Sequence, residues 1–235
     1  MSAEEDSSAP AASKLGTKDY WDAHYERELA SYGNCGDEGE IWFGTGAEAR
    51  AINYIKANTT EASAVLDLGC GNGHLLRRLR TIRKSWRGLV GGDYSEPSIR
   101  LCEAIEDEEA EEGLERIRYM VVDILALPES SPLSGEQFDI VHDKGTWDAI
   151  SLSDERAERL ISYKRSVISL LRPGSGRFII VSCNYTTPEL EVTFACDEFS
   201  FEGPLPEIST KKTSTAFSFG GKAGATFSTA VFRRT

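Results

Sequence analysis

The stretch that most constrains this chain is Val65-Leu66-Asp67-Leu68-Gly69-Cys70-Gly71-Asn72-Gly73-His74-Leu75-Leu76. A short apolar run of strand length leads into a turn with three glycines and then into a helix. Glycine lets the backbone turn tightly and lets a ligand approach it closely. A glycine-rich turn between strand and helix is where open α/β sheets bind nucleotide-like ligands. The spacing narrows the ligand. A dinucleotide fingerprint needs G-x-G-x-x-G; Gly69 and Gly71 fit, but His74 stands in the third slot and the extra glycine, Gly73, comes one residue early. Asp67, two residues before the first glycine, would repel a pyrophosphate. It suits a ligand with cationic groups, such as the ammonium and sulfonium of S-adenosylmethionine. No G-x-x-x-x-G-K-[ST] is present, which excludes a P-loop.

Composition bounds the partners. The 235 residues suffice for one well-cored domain with an extension. The formal net charge of −12 argues against nucleic acid as a direct partner, because phosphate binding needs a basic surface, and it is compatible with a basic protein substrate. No apolar run approaches the ~20 residues of a membrane span. Five scattered cysteines without a C-x-x-C read as free thiols in a reducing compartment; neither a disulfide frame nor a metal site is expected. The first 13 residues hold no basic and apolar signal pattern, so the expected location is the cytoplasm, with the nucleus second.

Along the chain, residues 1–15 read as a disordered tail, low in apolar content. Thr17 is placed to cap a helix over residues 17–29 that carries an aromatic stripe of Tyr20, Trp21, His24 and Tyr25, expected to pack on the domain. A loop over residues 31–39 precedes Gly39-Glu40-Ile41-Trp42-Phe43-Gly44, where two adjacent aromatics between glycines suggest a lid over a pocket. A helix over 46–58 follows. The helix after the glycine turn, residues 74–84, shows Arg77, Arg78, Arg80 and Arg83 on what reads as a solvated face. Strand 89–95 ends in Asp93, with Tyr94 beside it and Ser95 capping a helix to about residue 113. An acid at the end of the second strand is where nucleotide-binding α/β folds grip a ribose diol. The acidic run 106–112 reads as solvated surface. Strand 117–124 again closes on an acid and a branched apolar residue, Asp123-Ile124. Further strands are expected over 138–142, 177–184, 199–202 and 229–233, and a helix over 154–171. Residues 125–136 read as a loop, and Phe217 to Lys222 as a loop or a border of the substrate entrance. Alternating strands and helices give a doubly wound sheet, with ligands at the carboxyl ends of its strands. Gly69, Asp93, Asp123, Asp143 and Asn184 all fall there.

The run Asp67 to Gly73 closely resembles motif I of the seven-strand S-adenosylmethionine-dependent methyltransferases. From Leu15 onward the chain is similar to the protein-lysine methyltransferases that act on translation elongation factor 1-alpha. Three passages carry the likeness: residues 20–29 with Gly39 to Gly44, Asp143-Lys144-Gly145-Thr146-Trp147-Asp148-Ala149-Ile150, and Ser182-Cys183-Asn184 with residues 217–221. The resemblance implies a Rossmann-like α/β fold. Its doubly wound seven-stranded sheet is mostly parallel with an antiparallel last strand, and carries an N-terminal helical extension. The division expected is a tail (1–15), a helical extension and lid (16–60) and the methyltransferase domain (61–235). It implies S-adenosylmethionine bound by Trp42, Asp67, Gly69, Cys70, Gly71, Gly73, Asp93, Tyr94, Asp123, Ile124 and Asp143, with Asp123 toward the adenine. Asp143 is expected to align an incoming lysine amine, in a pocket walled by Trp42 and Phe43, with Trp147 second. The partner implied is elongation factor 1-alpha, met by a monomer. A small-molecule acceptor or another protein substrate is the alternative. Asp143-Lys144-Gly145-Thr146 stands where enzymes methylating adenine or glutamine amides carry Asn-Pro-Pro-Tyr, which argues against base methylation.

Overall fold

A computed structural model describes residues 12–86, 88–126, 131–208, 218–219, 222–223 and 227–235. The expected tail over residues 1–11, Arg87, Pro128 in the third-strand loop, and Phe217, Gly220 and Gly221 lie outside the described residues. The strands of the main sheet are β1 (Val65–Leu68), β2 (Leu89–Asp93), β3 (Arg118–Val121), β4 (Ile140–Lys144), β5 (Arg177–Ser182), β6 (Phe199–Gly203) and β7 (Ser228–Arg234). Their order is β3-β2-β1-β4-β5-β7-β6. Ser218–Phe219 and Lys222–Ala223, in the stretch read from sequence as a loop or entrance border, pair separately as a short antiparallel ribbon. β1 to β5 pair in parallel, and β7 runs antiparallel between β5 and β6. The helices are α1 (Lys18–Cys35), α2 (Gly44–Asn58), α3 (His74–Ile82), α4 (Glu96–Glu108), α5 (Thr146–Ser151), α6 (Arg156–Leu170) and α7 (Thr187–Phe194).

The strand sequences explain the layering. Central parallel strands are covered on both faces and so read as continuous apolar runs. Leu66, Leu68, Val141, Phe178 and Ile180 point to one core, with Trp147, Tyr163 and Val167 from α5 and α6. Their neighbours Val65, Ile140, Ile179 and Val181 point to the other, with Ile52, Ile55, Leu75 and Leu79 from α2 and α3. The helix α2, placed by sequence in an extension, is thus part of the sheet's own core.

Several boundaries differ from expectation. The chain docks before Thr17: Ser13 N donates to Leu152 O at 2.9 Å, and Lys14–Gly16 form a short 3-10 turn. Thr17 caps α1 as expected, accepting from Tyr20 N, but the helix runs on to Cys35 and stops at Gly36, whose φ of 73° lets its N–H reach Tyr32 O. Ser95 heads α4 without a side-chain cap. Its N–H is held by Asp93 Oδ1 at 2.9 Å.

The larger correction concerns charge. Arg77 and Arg80 are not solvated; they are 4% and 2% exposed. Arg80 bridges Glu106 and Glu109, and Arg77 reaches Glu38 and Glu109. Glu106, read as surface, is buried and also accepts from Ile117 N at 3.1 Å. These pairs fasten α3 to α4. Removing one partner of a buried pair strands the other charge and costs about 3–5 kcal/mol, whereas an apolar replacement of both recovers much of it. Arg80→Ala should therefore lower unfolding stability by about that amount in urea titration, and Arg80→Met with Glu106→Leu should regain at least half of the loss.

Candidate functional site

The cleft lies across the carboxyl ends of β3, β2, β1 and β4, under the N-terminal elements. The turn after β1 forms its floor. Gly69, Gly71 and Gly73 all take positive φ (66°, 56° and 70°), a region that side chains rarely enter. Gly69 carries a second demand: a Cβ there would overlap Thr146 Oγ1, which donates to Leu68 O at 2.8 Å. At Gly71 the crowding atom is Tyr25 Oη, 2.6 Å from where a Cβ would sit. Asp93, buried at the end of β2, accepts from Gly71 N at 3.1 Å and from Ser95 N. Burial pushes its pKa up to about 6, against the pull of those two backbone donors. Val122, Asp123 and Ile124 follow β3 and line the cleft beside it.

The roof comes from the N-terminus. Trp21 Nε1 donates to Leu15 O at 2.8 Å, and the Trp21 ring meets Trp42 at 5.1 Å between centroids. Trp21, Tyr25, Trp42 and Phe43 all face the cleft. Tyr25 also packs on Leu101 and Ile105 of α4, so one stripe of α1 both docks the helix and covers the site. Phe43 has φ 62°, an uncommon conformation for a bulky residue. It turns the chain into α2 and sets its ring against Gly145, where an added Cβ would lie 3.2 Å from it.

The end of β4 holds two acids with different surroundings. The Asp143 carboxylate is fully buried and accepts from Thr146 N and Trp147 N, each at 2.9 Å, and from the Tyr163 hydroxyl. It caps α5 and does not line the cleft. Burial pushes its pKa up to about 7. The expected alignment of an amine by Asp143 is therefore corrected: its oxygens accept from the α5 terminus and Tyr163, and it is absent from the cleft lining. Trp147 likewise sits in the core against Tyr163 and Phe194 and forms no cleft wall. Asp148 is the acid that does line the cleft. Ser182 Oγ and Cys183 N orient it, the latter at 2.8 Å, and burial raises its pKa.

Of the other residues expected on the cofactor, Gly69, Cys70, Gly71, Asp93, Tyr94, Asp123 and Ile124 line the cleft together with Trp42. Asp67 and Gly73 do not. Asp67 turns to the α2 and α3 face, where its Oδ1 lies 2.7 Å from His142 Nδ1. Gly73 opens α3, and a Cβ there would strike Tyr119. Strand alternation carries the signal for these: Asp67 is one residue out of phase with Leu66 and Leu68. Lys144 and Asp148, named in the Asp143 to Ile150 passage but given no role of their own, also line the cleft, as does Leu15.

A methyltransferase-domain family model matches residues 59–221. EEF1A lysine methyltransferase 2 of Danio rerio is 41% identical over 96% of this chain and 90% of its own length. Protein-lysine N-methyltransferase efm4 of Schizosaccharomyces pombe is 38% identical over 94% of each. The chain belongs to this family of protein-lysine methyltransferases. Among solved structures, the magnesium protoporphyrin IX methyltransferase of Synechocystis PCC 6803 with bound S-adenosylmethionine superposes with a TM-score of 0.60, covering 96% of this chain and 100% of that one at 16% identity, which shows the shared fold.

The cofactor of this methyltransferase is S-adenosylmethionine, and the cleft fits it. A buried acid stands at the end of β2, where it would accept from a ribose diol, apolar Val122 and Ile124 line the cleft where they would flank an adenine, and glycines allow close approach. A diol donating to Asp93 favours the ionised carboxylate, so binding lowers its pKa below the free value of about 6. Affinity is thus full above pH 6 and falls as pH drops through that value. Calorimetry with S-adenosylhomocysteine should show binding weakened about tenfold from pH 7.5 to 5, with that part of the pH dependence lost in Asp93→Asn.

Proposed function

We propose that this methyltransferase modifies a lysine of translation elongation factor 1-alpha, the substrate named for its zebrafish and human relatives. The observation that supports this reading most is the near-complete coverage of both chains at about two-fifths identity. The N-terminal segments that roof the cleft are included in that match, not only the cofactor half. The acidic balance of the chain suits docking of a basic protein surface. Residence in the cytoplasm, with the nucleus second, and action as a monomer without direct nucleic-acid contact belong to the same proposal.

When bound, the cofactor supplies an activated sulfonium methyl group. The protein orients the acceptor and manages its proton. A free lysine has a pKa near 10.4 and must lose a proton before it can attack. Trp42 and Phe43 form a wall that disfavours the charged amine by desolvation. Asp148 is the carboxylate facing the cleft there, held by Ser182 and Cys183 so that its remaining lone pairs can accept from the amine. Asp143 supports it from below by fixing the start of α5.

Incubating recombinant elongation factor 1-alpha with labelled S-adenosylmethionine and this protein, then mapping the modified residue by mass spectrometry, tests the assignment. Methylation of other proteins or of small molecules only would overturn it. Asp148→Ala should lower kcat by about a hundredfold, in the range of a lost proton acceptor, and leave S-adenosylhomocysteine affinity unchanged. Asp143→Asn should act on folding: loss of a buried acceptor costs about 1–3 kcal/mol, read as a lower Tm.

A further inference from the structure

The cofactor's amino-acid end is not explained by the residues described so far. Asp93 and the Val122 to Ile124 segment would meet the adenosine end, at the tips of β2 and β3. The sheet order β3-β2-β1-β4 then orders the cleft itself. A ligand with its adenosine at β3 and β2 extends past the glycine turn of β1 toward β4. Its amino-acid end carries a carboxylate, the only anion on the cofactor.

The last residue of β4 is Lys144, and it lines the cleft. It lies one residue beyond Asp143, which pairs in register with Leu68, so it stands beside Gly69. Its side chain leaves the strand on the same face as His142 and Asp67, opposite to Asp143. Two acids, Asp67 and Glu48, lie on that side and act on it through space, yet each is already engaged by a histidine: Asp67 by His142 at 2.7 Å and Glu48 by His74 at 2.8 Å. The Lys144 ammonium makes no hydrogen bond and no ion pair with any described residue. The other cationic residue on the cleft, Arg159, pairs with Glu155 one turn away. Burial lowers the Lys144 pKa, while Asp67, Glu48 and Asp143 oppose that loss of charge. A half-buried ammonium without a partner is costly, and the cleft that Lys144 lines gives a partner access to it.

We propose that Lys144 is the binding residue for the cofactor's amino-acid carboxylate, closing an ion pair at the β4 end of the cleft. The inference rests on the S-adenosylmethionine reading of the cleft and adds the site of its anionic end. It also gives the lysine of the Asp143 to Ile150 passage a task separate from the acceptor chemistry of Asp148.

Calorimetry on the full chain tests it with two ligands. S-adenosylhomocysteine carries the carboxylate; 5′-methylthioadenosine lacks the whole amino-acid end. Lys144→Met should bind S-adenosylhomocysteine about tenfold or more weakly and methylthioadenosine within twofold of wild type. Lys144→Arg, which keeps the charge, should recover part of the loss. A form of S-adenosylhomocysteine without its carboxylate should bind wild type and Lys144→Met alike. In the wild-type protein, where no variant need fold, the pKa of the Lys144 amine titrated by NMR should rise on binding S-adenosylhomocysteine and not on binding methylthioadenosine. Unchanged S-adenosylhomocysteine affinity in Lys144→Met, equal weakening of both ligands, or no ligand-specific change in the NMR titration would overturn the proposal. Failure of wild type to bind either adenosyl ligand would instead overturn the cofactor reading beneath it.

Discussion

The absence of a side chain at Gly69 is the constraint on which the rest of the site depends. Because nothing projects there, the Thr146 hydroxyl can reach the carbonyl of Leu68, and the start of α5 can seat against the end of β1. That contact joins the two working halves of the cleft. The glycine turn holds the cofactor side, and the β4 to α5 corner holds Lys144, Gly145 and Asp148. Alanine at Gly69 would be strained twice, by its positive φ and by overlap with Thr146, and would separate the halves. The neighbouring corner is closed in the same way from the β2 side, where one carboxylate, Asp93, holds Gly71 and Ser95 together.

The roof is tied to this turn by polar contacts. Asn72 Nδ2 donates to Glu38 O at 2.9 Å, and Glu38 also meets buried Arg77. Glu40 N donates to Glu28 of α1 at 2.9 Å. Trp42 and Phe43 follow at once, bracketed by Gly39 and Gly44, both with positive φ. The lid residues are therefore anchored on their N-terminal side to the cofactor turn and on their C-terminal side to α2. Asn72 and Arg77 thus tie the cofactor turn directly to the segment that carries the aromatic wall. Phe43 in a strained conformation fits this arrangement, since such strain persists where surrounding contacts over-determine it.

Much of this was legible in the sequence because the signals are local. The glycine turn, the acid at the end of β2, the run of apolar parallel strands and the paired aromatics of the lid each declare themselves within a few residues. What was not legible depends on contacts between distant elements. Arg77 and Arg80 have the spacing of a polar face, and only the packing of α3 on α4 buries them against Glu106 and Glu109. The motif Asp143 to Asp148 likewise offers two acids and no local rule for choosing between them. Asp143 precedes α5 and is drawn to its free N–H groups, a capping tendency that competes with any outward role. Lys144, named in that motif, carries no local signal of a role, because a lysine at a strand end is most often solvated.

The division of labour between the two acids bears on how a lysine amine can be made to react. In water the proton would have to pass from a group with pKa near 10.4 to one near 3.9, uphill by roughly 6.5 units or about 9 kcal/mol. Burial acts on both partners in the favourable direction. It raises the proton affinity of Asp148 and, against Trp42 and Phe43, lowers that of the amine. A fully exposed carboxylate would do neither, and one as fully engaged as Asp143, with three donors on two oxygens, has little capacity left to accept. Asp148 stands between these limits. Burial raises its proton affinity while donors from Ser182 to Asn184 fix its direction, and unlike Asp143 it lines the cleft, where an amine can reach it.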